Sequence, residues 1–275
     1  MTAFGTPIAK SVFVTHSTKT GQVAGNAAQI YEDWFVPSLF APWAPVLVQT
    51  AGAAPGDEVL DVACGTGVVA REARRTVGAA GRAVGVDVNA SMLAVAERCG
   101  PGVHWEKAAA EALPFDDASF DRVVCQFGLM FFEDRTRALR EMARVLRPDG
   151  GMAIAVWSSL GDTPAFEALV ELIEEHVGLE AADALRAPFC LGERTLLQDL
   201  CDAADLSADV ERRVLPARFG SLDQWIETNV RGWTFSDRVD EEALARLQRE
   251  ARSKMAKWVH ADGHVEFDSP AWLIH

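Results

Sequence analysis

Two carboxylates and two glycines stand at spacings that could do chemistry. The stretch Val59-Leu-Asp-Val-Ala-Cys-Gly-Thr-Gly-Val68 reads as an apolar strand entering a tight turn and then a helix. Gly65 and Gly67 lack a Cβ, so the backbone there can adopt unusual dihedrals and a ligand can lie directly against it. Asp61 falls just before the turn, where its charge would repel a pyrophosphate but hold an ammonium group, directly or through water. Asp87 ends the next apolar run, 20 residues beyond Gly67, where a carboxylate accepts from both ribose hydroxyls of an adenosine. Asp87 alone serves NAD equally well; Asp61 is what favours an adenosine carrying an ammonium. The plain alternative is that both acids cap helix starts.

The elements that must position these residues follow from periodicity. Apolar residues at helical spacing over Ala24–Phe35 predict a helix ending before Pro37. From Glu58 onward short apolar runs alternate with helical stretches: Val59–Ala63 then Val68–Val77, Ala83–Val88 then Met92–Cys99, Val103–Trp105, and Arg122–Phe127 then Thr136–Leu146. The last helix stops at Pro148-Asp149-Gly150-Gly151, a sharp turn by composition, and Met152–Trp157 is the fifth strand. Such alternation predicts βαβ units and a parallel sheet. Beyond Ser158 come helices over Pro164–Val177, Glu193–Ala204, Ser221–Trp233 and Glu241–Val259, with strands over Asp209–Phe219 and Val265–Ile274. This half predicts a helical cover over the carboxyl ends of the strands, where α/β sheets bind ligands. The expected organisation is a single domain: a core over 24–157, a cover over 158–264 and a last strand over 265–275.

Composition excludes several classes. A net charge of −14, from 40 acidic against 26 basic side chains, repels phosphate backbones and anionic membranes, so neither nucleic acid nor a membrane is an expected partner. The densest basic run, Arg71–Arg75, lies on a helical stretch and reads as a solvated face. The cysteines at 64, 99, 125, 190 and 201 are odd in number and lack any C-x-x-C spacing, which points to no disulfide framework, no metal and a reducing, cytoplasmic setting.

With those residues on the page, the sequence resembles the class I S-adenosylmethionine-dependent methyltransferases of the ubiquinone/menaquinone-biosynthesis-like group. The blocks that carry the resemblance are Val59–Ala70, Gly85–Leu93, Ala110–Phe115, Phe120–Gly128 and Glu141–Gly150, in that order. It implies a Rossmann-like, doubly wound α/β fold, a seven-stranded sheet with only the last strand antiparallel. S-adenosylmethionine, which bears the ammonium that Asp61 favours, is the implied cofactor, and methyl transfer to a small molecule the implied activity. Residue by residue, it implies that Asp61, Gly65 and Gly67 cradle the methionine part, that Asp87 binds ribose, and that Met92 packs on adenine. Gln126 would offer its backbone carbonyl to the cofactor's amino group, and Ala63, Val88, Ala110 and Tyr31 complete the expected contact set. Two departures stand out. Ala63 replaces the first glycine of the family's D-x-G-x-G-x-G, tolerable if it keeps ordinary dihedrals. Ala109 stands where many relatives have an aspartate for the adenine amino group; Glu111 could replace it or be a solvated helix-start carboxylate.

The reaction implied is an in-line displacement in which positioning does most of the work, with a general base needed only if the acceptor must lose a proton. Residues 128–132, with Tyr31 and Trp34, are expected to wall the methyl group; Phe132 reads as core and Tyr31 as site. No catalytic residue is assigned. His16, His260 and His264 are surface candidates for a base, His104 a structural residue of the third strand. Trp225, Trp233, Trp258 and Trp272 could shape the acceptor pocket or pack the cover down. A rearrangement or cyclisation that retains bound S-adenosylmethionine, and a nicotinamide-dependent oxidation, are the competing activities.

Overall fold

The computed structural model describes residues 26–232 and 239–275. A seven-stranded sheet runs in the order β3-β2-β1-β4-β5-β7-β6. Its strands are β1 Glu58–Val62, β2 Arg82–Asp87, β3 His104–Lys107, β4 Phe120–Gln126, β5 Leu146–Trp157, β6 Val210–Phe219 and β7 Val265–Ile274. β1 to β5 pair in parallel, and β7 alone runs against its neighbours β5 and β6. Helices on both faces explain the near-continuous apolar strands: Val59, Leu60, Val62, Val123, Val124 and the run Ala153–Val156 are all buried.

The helices are α1 Asn26–Ile30, α2 Trp43–Thr50, α3 Val68–Val77, α4 Ala90–Cys99, α5 Arg135–Val145, α6 Pro164–His176, α7 Leu179–Arg186, α8 Arg194–Ala203, α9 Leu222–Arg231 and α10 Glu241–Lys254. The expected doubly wound sheet and its helical cover are both present. Trp233, and with it the end of the helix expected over Ser221–Trp233, lies outside the described residues, as do His16 and the first two residues of the helix expected from Ala24.

Three local readings are corrected. The N-terminal helix does not stop before Pro37: it widens into a π-helix over Tyr31–Phe40. There Ala41 N–H donates to Val36 O at 2.7 Å, five residues back, in a ladder where the missing proline N–H breaks no four-residue bond. α2 follows although Pro42 and Pro45 flank its start, because first-turn N–H groups have no helical partner to lose. Pro148-Asp149-Gly150-Gly151 lies inside β5, not between elements; Phe120 pairs with Leu146 but Arg122 with Gly151, so the turn residues bulge out of the ladder. Arg71 is not solvated: it donates to Glu32 at 2.7 Å and to the Thr66 carbonyl at 2.6 Å, tying the wide helix to α3.

The glycines near the turn serve packing as much as ligand. Trp105 of β3 sits directly opposite Gly85 of β2. A Cβ on Gly85 would come within 2.4 Å of its ring, on Gly67 within 2.2 Å and on Gly100 within 2.6 Å. Three absent side chains thus form the slot that seats one indole. Gly85→Ala should therefore lower stability by about 1–3 kcal/mol through overpacking, and Trp105→Phe should recover part of that loss in the double variant. Urea unfolding of the two singles and the double checks it; strictly additive losses would refute the slot.

Candidate active site

The carboxyl ends of the strands and the cover enclose a cavity of about 440 Å³, within the size range of small-molecule sites. Along the strand tips it is lined by Ala63 and Gly65 after β1, Asp87 to Asn89 after β2, Ala108 to Glu111 after β3, Gln126 to Gly128 after β4 and Trp157 of β5. Thr163 and Phe166 of α6, Leu185 of α7, Phe189 and Asn229 of α9 close it from above. The long cover therefore lies where it was expected.

The tip of β2 organises the cofactor side. Asp87 Oδ2 accepts from Gly65 N–H at 2.9 Å and its Oδ1 from Asn89 N–H at 2.8 Å. One carboxylate thus pins the glycine turn of β1 to the start of α4. Asn89 caps that helix, its side chain accepting from Ser91 and Met92 N–H. The cap sets the helix start so that Met92 reaches the cavity. Burial pushes the Asp87 carboxyl above its ordinary range, against the lowering effect of the backbone donors.

Asp61 is 1% exposed and does not line the cavity. Its Oδ2 accepts from Ala70 N–H at 2.9 Å, so it caps the first turn of α3, whose N-cap Gly67 has no side chain to do so. Its Oδ1 is buried with no partner. Desolvation, opposed by the Ala70 bond and reinforced by the negative charge of Asp87, pushes Asp61 up to about 8. The capping role and an orphaned acceptor therefore coexist in one side chain. A Cβ on Gly65 would meet nothing within 4 Å, so the missing atom leaves space a ligand can fill. An unpaired buried acid beside an open glycine cradle fits a ligand that carries an ammonium. Gly67 fits differently: it stays behind the turn against Trp105 and lines no cavity.

The structure brings Tyr31, Ala63, Gly65, Asp87, Val88, Met92, Ala110, Glu111 and Gln126 to one cavity and leaves Asp61 and Gly67 behind it. Glu111 faces the cavity, yet its Oε1 accepts from Glu133 N–H at 3.0 Å, ahead of α5. Gln126 is anchored by Nε2 donating to the Phe40 carbonyl at 3.2 Å. Ala63 departs from ordinary dihedrals: its φ is 57°, in the left-handed region that its replaced glycine would have filled without strain, and Phe127 at the tip of β4 has φ 55°. Tyr31 lines the cavity as expected; burial and the nearby Asp87, Glu32 and Asp61 hold its phenol above the ordinary range, so it stays protonated.

Several expectations about the walls change. Phe132 is half-buried and packs against the core as expected, but it also lines the cavity, whereas Trp34 does not reach it. In its place the wide helix supplies Phe35, Leu39 and Phe40. Tyr31 and Phe40 stack at 4.9 Å although nine residues apart. In an α-helix nine residues make about two and a half turns and opposite faces; the wider π-turn brings them to one face. This was hidden from sequence because periodicity was read at helical pitch. Trp225, Trp258 and Trp272 do not line the cavity. Trp225 packs on Phe267 at 4.7 Å and Trp272 donates to the Gly192 carbonyl at 2.7 Å, so both hold the cover down. His260 and His264 stack on each other away from the cavity, and His104 is exposed at the edge of the sheet.

A parallel sheet of this order, with a glycine turn after β1 and an acid at the tip of β2, defines the class: a Rossmann-like class I methyltransferase fold. Residues 60–154 match the model of the methyltransferase domain family. It is 42% identical over 150 residues to the ubiquinone/menaquinone biosynthesis C-methyltransferase UbiE of Hahella chejuensis, covering 52% of this chain and 60% of that one. It is 35% identical over 136 residues to the 2-phytyl-1,4-naphtoquinone methyltransferase of Trichormus variabilis, covering 46% and 59%. The chain thus spans about three-fifths of the length of these relatives. Among solved structures, the YcgJ protein of Bacillus subtilis shares the fold at TM-score 0.54 and 22% identity, over 84% of this chain and 95% of that one. A SAM-dependent methyltransferase of Thermotoga maritima does so at TM-score 0.51 and 18% identity, over 90% and 95%. Among the described residues no helix is long and apolar enough to cross a membrane.

Two outcomes follow from the tip of β1. Ala63→Gly relieves left-handed strain and should raise stability by up to about 1 kcal/mol, net of the added freedom of the unfolded chain; a loss in urea unfolding would contradict the strain. For Asp61, the unfolded carboxyl titrates near its ordinary value of 3.8 and the folded one at about 8. Between these the folded state binds more protons, so this group makes stability fall as pH rises. Asp61→Asn should therefore gain on wild type at pH 9 relative to pH 5, and an equal difference at both would refute the shift.

Proposed function

We propose that the chain transfers a methyl group from S-adenosylmethionine to a small-molecule acceptor held under the cover. The observation that carries the reading is the Asp87 carboxylate, buried at the tip of β2, lining the cavity and pinned beside a glycine whose missing side chain leaves the turn open. The family match and the acidic surroundings support it: Asp61, Asp87, Glu111 and Glu133 lie in or behind this end of the cavity, which suits a sulfonium and an ammonium and disfavours a pyrophosphate.

In this reading Asp87 accepts from the ribose hydroxyls, each of its oxygens having a lone pair beyond the one its backbone donor uses. Met92, Val88 and Ala110 flank the adenine, with Glu111 at its rim. Ala63, Gly65 and the Gln126 carbonyl face the methionine part, with Gly67 shaping the turn and Asp61, whose raised carboxyl ionises as the ammonium binds, lying behind it. Bound there, the cofactor supplies a methyl group already activated on sulfur. The protein's own contribution is then to hold the acceptor in line, to exclude water with Tyr31, Phe35, Phe40 and Phe131, and to face the sulfonium with aromatic rings. Tyr31, held protonated, serves as a wall or donor and not as a base. The core, cover and last strand act as one domain. Five unpaired cysteines support a reducing, cytoplasmic setting.

The relatives' names make quinone rings the first acceptors to test. The family match ends at residue 154, however, and the cover that meets the acceptor lies beyond it. Asp87→Asn keeps the shape but removes the charge and one acceptor, and two charge-assisted bonds are weakened together. Affinity for S-adenosylhomocysteine should fall about a hundredfold by calorimetry, with the circular dichroism spectrum preserved; unchanged affinity would refute the site. Turnover must release one S-adenosylhomocysteine per methylated product, and product formation without it would point to the cofactor-retaining alternative.

A further inference from the structure

We infer that Thr163, Asn229 and Ser269 form a polar anchor that receives an uncharged methyl acceptor through its hydroxyl or N–H groups. The inference rests on the methyltransferase reading above and deepens it.

The three residues come from the N-cap of α6, from α9 and from β7, are 2%, 1% and 2% exposed, and line the cavity. Their convergence is shown by their neighbours. Phe166, one turn after Thr163, touches the rings of Trp225 at 5.8 Å and Phe267 at 5.5 Å, and those two rings meet at 4.7 Å. Trp225 is one turn before Asn229 on α9, and Phe267 is two residues before Ser269 on the same face of β7. The wall around the three is otherwise apolar: Phe166, Leu185 and Phe189 among others. Buried polar groups in such a wall are costly unless something pairs them.

Their hydrogen bonding defines the ligand. Asn229 Nδ2 donates to the Trp225 carbonyl at 2.9 Å; a carbonyl only accepts, so the amide cannot be the other way round. Its Oδ1 has no hydrogen bond among the described residues, and it is an acceptor. Ser269 spends its proton on the Leu215 carbonyl at 2.7 Å, leaving its oxygen also as an acceptor. Thr163 makes no capping bond to α6 and no other side-chain hydrogen bond is formed by it among the described residues, so its hydroxyl can take either role. Two acceptors and one hydroxyl ask for a ligand that donates. No Lys, Arg or His lines the cavity among the described residues, and its acids sit at the cofactor end. Asp87, at the tip of β2, lies four strand spacings from β7, about 19 Å, and Glu111 is held against the Glu133 backbone ahead of α5. A carboxylate or phosphate on the acceptor would have no counter-charge there. All three anchor residues lie outside the family match at 60–154, so the selectivity is a property of this chain's second half.

The test uses three flat probes on the intact chain, with and without saturating S-adenosylhomocysteine: 2-naphthol, 2-methoxynaphthalene and 2-naphthoate, titrated by calorimetry. Naphthol should bind about tenfold or more tighter than its methyl ether, since the ether leaves a buried acceptor unpaired, and naphthoate should bind weakest. Asn229→Leu should bring naphthol and the ether to similar affinity; Ser269→Ala should narrow the same ratio and serves where the leucine variant does not fold. Naphthoate binding tightest, a naphthol preference unchanged in both variants, or no binding of any probe to the wild type would each overturn the anchor. Failure of S-adenosylhomocysteine itself to bind would sink the methyltransferase reading instead, and the probe ratio measured without it keeps the two failures apart.

Discussion

A carboxylate that accepts from two backbone N–H groups on different loops does more than bind a ligand. Asp87 fixes Gly65 at 2.9 Å and Asn89 at 2.8 Å, and so sets the distance between the glycine turn of β1 and the start of α4. The cap that aims Met92 at the cavity begins two residues later. The same buried charge is felt by its neighbours, raising Asp61 and Tyr31 alongside the cost of their own burial. Among the described residues no basic side chain lines the cavity, so its acidic end suits a cation. The electrostatics of the cavity and the geometry of its turn therefore trace to one side chain.

Strain and packing are distributed around that clamp in a consistent way. Ala63 and Phe127, at the tips of adjacent strands β1 and β4, both hold left-handed dihedrals, and both line the cavity. A Cβ on Gly128 would come within 2.6 Å of the Ala63 methyl, so the methyl that strains the turn also excludes any side chain opposite it. Such strain persists only where surrounding structure over-determines it. Here the stacked rings of Phe127 and Trp157, 3.5 Å apart and 7° from parallel, and the edge-on Trp43 supply that support. The wide helix over Tyr31–Phe40 completes it from above, its geometry bringing three aromatic rings to one face.

Much of this was legible in the residues. The apolar runs separated by helical stretches specified the parallel sheet, because a strand buried on both faces has no room for a polar period. Asp87 at the end of its run lines the cavity, and nine of the eleven expected cofactor residues share that one cavity. What was not legible depends on backbone geometry that no single residue type announces. Pro37 signals a helix stop at α pitch but is harmless in a π-turn. The glycine-turn pattern does not say which glycine faces ligand: Gly65 does, while Gly67 yields to Trp105, a residue 38 positions on. Asn229 and Ser269 carry no motif at all; each stands among other polar residues of its element, and only tertiary convergence gives it meaning.

The division of the chain explains why cofactor and acceptor are so unequally readable. The residues expected to meet a cofactor are mostly short-range in sequence, two or three at each strand tip between 61 and 128, inside the family match at 60–154. The acceptor side is built from α6, α7, α9 and β7, long-range partners that the sheet brings back over the strand tips only because β7 inserts between β5 and β6. That insertion places Ser269 beside the cover and returns Phe267 to Phe166 and Trp225, joining elements about a hundred residues apart. A fold arranged this way can keep the chemistry of one half constant while the other half changes its choice of substrate, because the two are coupled through a cavity and not through shared residues.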